Sequence, residues 1–204
     1  ITYMRTDSLR LSDEAMAAAA DLIRRRYGEN YYYGKFHVYK TKSGAQDAHE
    51  AIRPTHVELD PESIRSSLTA DQFKLYKLIW SRFLASQMAN ALFDAVSIDT
   101  ECAGHVFRAT HQSMRFAGFI AVYEESRDEE GEAIGSPLPD LTEGEKALSA
   151  GQKKEQHFTQ PPARYTEASL VKAMEEKGIG RPSTYAATIS TIEDREYVEK
   201  QDKR

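Results

Sequence analysis

Tyr3 and Arg5 are the residues at which chemistry would start. A tyrosine hydroxyl can attack phosphorus and hold the product covalently, and an arginine two residues on can grip the phosphate. In an extended backbone, side chains two apart share a face, so both can converge on one phosphorus. The phenol needs that help, because a free phenol titrates at about pH 10 and its neutral form is a poor nucleophile. A guanidinium lowers the energy of the phenolate and steadies the charge that develops on the phosphoryl oxygens. Taken by itself, a Tyr-x-Arg triplet is far more often an ordinary surface strand.

Two further groups of residues carry possible chemistry. His49, Glu50 and Arg53 lie at i, i+1 and i+4. On a helix, His49 and Arg53 share a face and Glu50 is turned away. His49 could then move a proton or bind a phosphate as imidazolium, and Arg53 could clamp a neighbouring phosphate. The plainer alternative is an ion-paired helix. Arg164, Lys172 and Arg181 flank a second candidate phosphate-binding surface. There Ser183 and Thr184 offer hydroxyls at the start of a helix whose free amides favour an anion; Ser183 is equally a normal helix cap. No spacing of acids, cysteines or the six histidines makes a zinc site, so no metal ligand is assigned.

The elements that must position these residues are partly legible. Ser12 caps a predicted helix over 13–27, with acids in its first turn, Arg24 to Arg26 in its last and Gly28 as its stop. Alanines at 15 and 17–20 allow close backbone packing. Residues 31–44 read as a loop or irregular strand whose aromatics and lysines could stack bases or form a small core. A short helix is expected over 47–52, stopped before Pro54, and another from Asp60-Pro61-Glu62. Thr69 and Gln72 form a capping box opening the longest helix, to about Asn90, with Phe73, Tyr76, Ile79, Trp80, Phe83, Leu84 and Met88 on its apolar face.

The periodicity then changes from 3.6 to two residues. Strands are expected over 95–100, 104–110, 114–123 and 156–159, with an acidic solvated loop over 124–145. Helices over 166–177 and 183–194, a Gly178-Ile179-Gly180 turn and a strand over 197–200 suggest a partial winged helix-turn-helix. The fold class is thus α+β and multidomain. A helical domain spans 1–89, a β-rich domain 90–160, and a partial helix-turn-helix 161–204.

Composition narrows the function classes. A hydrophobic fraction of 40% suits a globular chain, and no apolar run or leader is long enough to span or target a membrane. A net charge of -5 argues against indiscriminate nucleic-acid binding, so any DNA site is a local patch. The single cysteine, Cys102, fits a reducing cytoplasm and a packed strand. A motif beginning at once after Ile1 suggests a piece of a longer protein.

Three segments together resemble the type IA DNA topoisomerases. They are Ile1-Thr2-Tyr3-Met4-Arg5-Thr6-Asp7-Ser8, then Gln46-Asp47-Ala48-His49-Glu50-Ala51-Ile52-Arg53-Pro54-Thr55, and Pro162 to Lys172 running on to Gly178-Ile179-Gly180-Arg181-Pro182-Ser183-Thr184-Tyr185-Ala186. They lie in the family's order; between Asp60 and Phe158 the likeness is looser. The resemblance implies an ATP-independent isomerase that cuts one DNA strand, passes another strand and religates, relaxing negative supercoils. It makes Tyr3 the nucleophile that forms a 5′-phosphotyrosyl link and Arg5 the residue that positions the scissile phosphate. His49 and Arg53 support the site and the DNA backbone, and Arg164 with 178–185 grips single-stranded DNA. The 90–160 part corresponds to the hinged arch.

The family's acidic Mg²⁺-binding domain has no counterpart in this chain. The resemblance therefore implies Mg²⁺ in the full-length enzyme, no cofactor in this piece and no relaxation by it alone. It also implies single-stranded and negatively supercoiled DNA as partners, a monomer, and a place in the cytoplasm at the nucleoid. Two rival classes stand beside it. A stand-alone winged-helix DNA-binding module would leave Tyr3 inert, but 183–194 carries no Lys or Arg. A tyrosine recombinase would place its tyrosine late in the chain, not at position 3.

Overall fold

The computed structural model describes residues 1–39, 49–124 and 138–201. Among these lie four α-helices and a two-stranded sheet, a mixed α/β arrangement. Helix α1 spans Asp13–Tyr27, with the Ser12 hydroxyl accepting from the Ala15 N–H and Gly28 at φ 105 closing the last turn onto the Arg24 carbonyl. Helix α2 spans Ala70–Ser86 and opens on the Thr69–Gln72 capping box.

The α2 helix ends earlier than its apolar pattern suggests, because a loop recruits the next residues. Gln87 is fully buried, and its carboxamide pairs with the His37 peptide, accepting from its N–H and donating to its carbonyl, both at 3.2 Å. Met88 bridges to Tyr32. A buried polar group must find such partners, and the Ala89 N–H, which donates to the Tyr31 carbonyl at 2.8 Å, cannot also continue the helix. Ala15, Ala19, Ala20 and Ile23 of α1 share a core with Trp80, Phe83 and Leu84 of α2, Val57, Tyr32 and Met88. The alanines permit the close approach, and the buried Trp80 indole donates to the Val57 carbonyl at 2.8 Å.

The helix expected from Asp60 is instead a turn followed by a 3-10 helix, Arg65–Ser67. Asp60 starts it: its carboxylate accepts from the Glu62 N–H at 2.9 Å, and the Arg26 guanidinium donates to the same side chain. Burial pushes the Asp60 carboxyl up, but Arg26 and the Glu62 amide outweigh this and hold it below its usual range. A carboxylate with a depressed folded pKa adds stability above its unfolded value, about 3.9, and loses it as pH falls through the folded value. Asp60→Asn should thus cost about 0.5–1.5 kcal/mol at pH 7. The cost should vanish in strong acid, as read by urea unfolding at both pH values.

Among the described residues, the strands form one antiparallel hairpin, β1 Leu92–Cys102 and β2 His105–Phe116. Ala103 and Gly104 form its two-residue turn, both at positive φ (51 and 80), which matches the twist of the flanking strands. The strands run longer than expected and β2 continues through His111 to Ser113. Residues beyond Phe116 correct the expected third strand: Gly118–Ala121 is a 3-10 helix. Gly118 has φ 50, and a Cβ there would lie 2.5 Å from the Ala89 and Asn90 backbone, so the chain passes only as glycine. No strand forms over 156–159, and 138–166 carries no helix or strand. Most of the acidic 124–145 stretch lies outside the described residues.

Helix α3, Glu167–Glu176, begins on the Thr166 cap. It ends in a Schellman pattern: the Gly178 N–H donates to Glu175 at 3.1 Å and the Ile179 N–H to Met174 at 2.8 Å. Helix α4, Tyr185–Asp194, starts two residues later than expected. Thr184, not Ser183, is its cap residue, and the Thr184 hydroxyl accepts from the Arg181 N–H at 2.9 Å. Met174 and Ile189 are buried where α3 and α4 meet. The expected strand over 197–200 is absent; the chain turns at Glu196, φ 57, and Lys200 pairs with Glu167.

Candidate active site

The Tyr3 segment is held from behind by residues 50 positions away. The Thr2 N–H donates to the Arg53 carbonyl at 2.9 Å. The Thr2 hydroxyl donates to the Ala51 carbonyl at 2.7 Å and accepts from the Arg53 N–H at 2.9 Å. At the far end, the Ala51 N–H donates to the Arg10 carbonyl at 2.8 Å. Between these anchors, Ser8 is buried and its N–H donates to the Thr6 hydroxyl. The chain bends at Met4 and Arg5.

This stitching sets His49 against Tyr3. Their rings lie 5.7 Å apart, tilted by 58°, while the Tyr3 side of the contact stays open, at 60% exposure. A pocket of about 460 Å³ opens here. Tyr3, Arg5, Thr6, Asp7 and His49 line one part of it, and Arg181, Pro182 and Ser183 another. A phenol, an imidazole and two arginines thus line one solvent-open volume, a set suited to a phosphodiester.

Residues 49–52 are not helical, which corrects the geometry expected for His49, Glu50 and Arg53; 47 and 48 lie outside the described residues. Glu50 is not turned away. Its carboxylate accepts from Arg53 Nη2 at 2.7 Å and Nε at 3.1 Å, a pair largely buried on the arginine side. Arg53 also donates to the Pro54 carbonyl and the Ser12 hydroxyl. The 49–53 segment and the α1 cap are therefore one unit.

The other expected residues are dispersed. Arg164 is exposed in the segment before α3, Lys172 is exposed on α3, and Thr184 is engaged with Arg181; none of the three lines the pocket. Sequence reasoning gave no role to Thr2, Thr6 or Asp7. Asp7 sits in the same octapeptide and could have been noticed as an acid two residues past Arg5. Among the described residues, Asp7 is the acid that lines the pocket. Among the described residues, no group of three His, Cys, Asp or Glu gathers to hold a metal ion. Nor is any helix among them long and apolar enough to cross a membrane.

Residues 1–204 match the family model described as DNA topoisomerase, and the chain belongs to that family, in its bacterial type IA branch. It is similar to full-length topoisomerase I from Thermotoga maritima, at 38% identity and a TM-score of 0.73 over 98% of this chain. That match spans 31% of the Thermotoga chain.

Proposed function

We propose that this chain is the nucleophile-bearing part of a type IA topoisomerase that cuts and rejoins one DNA strand without ATP. The observation that carries the reading is the convergence of Tyr3, Arg5, His49 and Arg181 on one open pocket. The Tyr3 hydroxyl oxygen attacks phosphorus, and the bond to the 3′ oxygen breaks. The protein stays on the 5′ phosphate, and the departing oxygen takes up a proton to become a 3′ hydroxyl. In religation that hydroxyl attacks the phosphotyrosine and Tyr3 regains its proton. One phosphoester replaces another at each step, so bond energy is retained and negative supercoils are relaxed as strands pass.

Arg5 holds the non-bridging oxygens as charge builds on them. His49, beside the phenol, carries the proton. Arg181 and Ser183 hold the adjoining backbone phosphate from the opposite part of the pocket. Arg164, Lys172 and Thr184 extend the grip along the single strand, and Arg53 reaches DNA only by exchanging Glu50 for a phosphate. Residues 1–89 form the helical nucleophile domain, 90–160 the arch and 161–204 the partial helix-turn-helix. The protein works as a monomer at the nucleoid, with Mg²⁺ supplied by an acidic domain elsewhere, and this chain by itself relaxes no plasmid. The absence of Lys and Arg from Tyr185–Asp194 counts against a duplex-reading module.

The test is to trap the complete enzyme on a single-stranded oligonucleotide, digest the adduct and sequence the DNA-linked peptide. The expected peptide contains Tyr3, joined to a 5′ phosphate. Attachment at any other residue overturns the reading. A binding prediction follows from the charge. This chain should bind oligonucleotides weakly and single strands before duplex, with affinity falling as salt rises, since a few arginines and not net charge carry the contact. Fluorescence anisotropy across a salt series reads it.

A further inference from the structure

We infer that Thr2 is a positioning residue for strand cleavage, its hydroxyl fixing the Tyr3 backbone relative to His49. The inference rests on the reading of Tyr3 as nucleophile. Tyr3 is 60% exposed, and its ring contact among the described residues is His49. Packing therefore does not hold the phenol in place; the backbone must. The residue directly before it supplies the hold. One hydroxyl donates to the Ala51 carbonyl at 2.7 Å and accepts from the Arg53 N–H at 2.9 Å, while the Thr2 N–H donates to the Arg53 carbonyl at 2.9 Å. Ala51 lies two residues beyond His49, so these bonds fix the nucleophile and the imidazole in one frame.

The receiving segment is itself rigid. Arg53 donates to the Pro54 carbonyl and the Ser12 hydroxyl, which ties the frame to the start of α1. An anchor on such a support transmits position, and a misplacement of about 1 Å can cost a reaction about 100-fold. A threonine hydroxyl is suited to this place because it satisfies a donor and an acceptor on one strand at once. Valine keeps the shape and removes both bonds.

The test uses the complete enzyme, single-turnover cleavage of a labelled single-stranded oligonucleotide, and oligonucleotide Kd in parallel. Thr2→Val should slow cleavage about tenfold or more and leave Kd within about twofold. Thr2→Ser, which keeps the hydroxyl, should recover the wild-type rate within about threefold. In a His49→Ala background, Thr2→Val should slow cleavage further by less than about threefold, because the alignment it served is already lost. A wild-type rate in Thr2→Val, failure of serine to rescue, or full multiplication of the two effects overturns the inference. If Thr2→Val does not fold, as followed by thermal unfolding, Thr2→Ala is read in its place by the same criteria. A wild-type enzyme that forms no Tyr3 adduct would instead sink the nucleophile reading on which this one stands.

Discussion

Tyr3→Phe in the complete enzyme should abolish covalent attachment to DNA while folding and DNA binding persist. The substitution removes one oxygen from a ring that is largely exposed, so no core contact is lost. The ring contact with His49 survives as well, since it involves the ring and not the hydroxyl. What disappears is the atom that forms the phosphotyrosyl bond. By comparison with the removal of other covalent nucleophiles, the loss should be on the order of 10⁴-fold or more. Denaturing gels of a labelled single-stranded oligonucleotide would show no retarded protein–DNA band. Full adduct formation by the variant would mean that another residue attacks.

Arg5 should show the next largest effect. Arg5→Ala removes a guanidinium from the pocket wall beside the nucleophile. Loss of one preorganised group that stabilises developing charge typically costs about 10²–10³-fold in rate. Arg5→Lys keeps a positive charge but not the planar fork that can hold two phosphoryl oxygens, so it should fall between alanine and wild type. The same gels, run as a time course, rank the three proteins. Equal rates for lysine and arginine would show that only a point charge is needed there.

The parts of the fold governed by local signals were legible in the sequence. Ser12 and Thr69 each name the start of a helix, because a cap is a contact between residues three apart. The end of α2 was not, since the backbone of Met88 and Ala89 is drawn to Tyr32 and Tyr31, far earlier in the chain. The third strand failed for a similar reason: Gly118 is demanded by the backbone of Ala89 and Asn90, which no local pattern reveals. At the site, the octapeptide around Tyr3 announced itself through its residue types. The meeting of that segment with Arg181 and Ser183 depends on tertiary placement across some 180 residues. Glu50 was misread because a helical geometry was assumed where the chain is irregular.

The β1–β2 ribbon has a mechanical consequence. Both of its strands meet the helical body at one spot, where the Phe119 N–H bonds the Ala89 carbonyl at 2.9 Å, Gly118 presses on Asn90, and the Phe116 ring lies 4.7 Å from that of Tyr31, tilted by 50°. Most of the rest of its surface is exposed on both faces. It is a cantilever, about 35 Å long at roughly 3.3 Å per residue, clamped at its root. A load applied at the Ala103–Gly104 tip becomes torque at that root and enters the helical body there. Stiffness at that root and along the paired strands together sets how far the tip travels under a given pull.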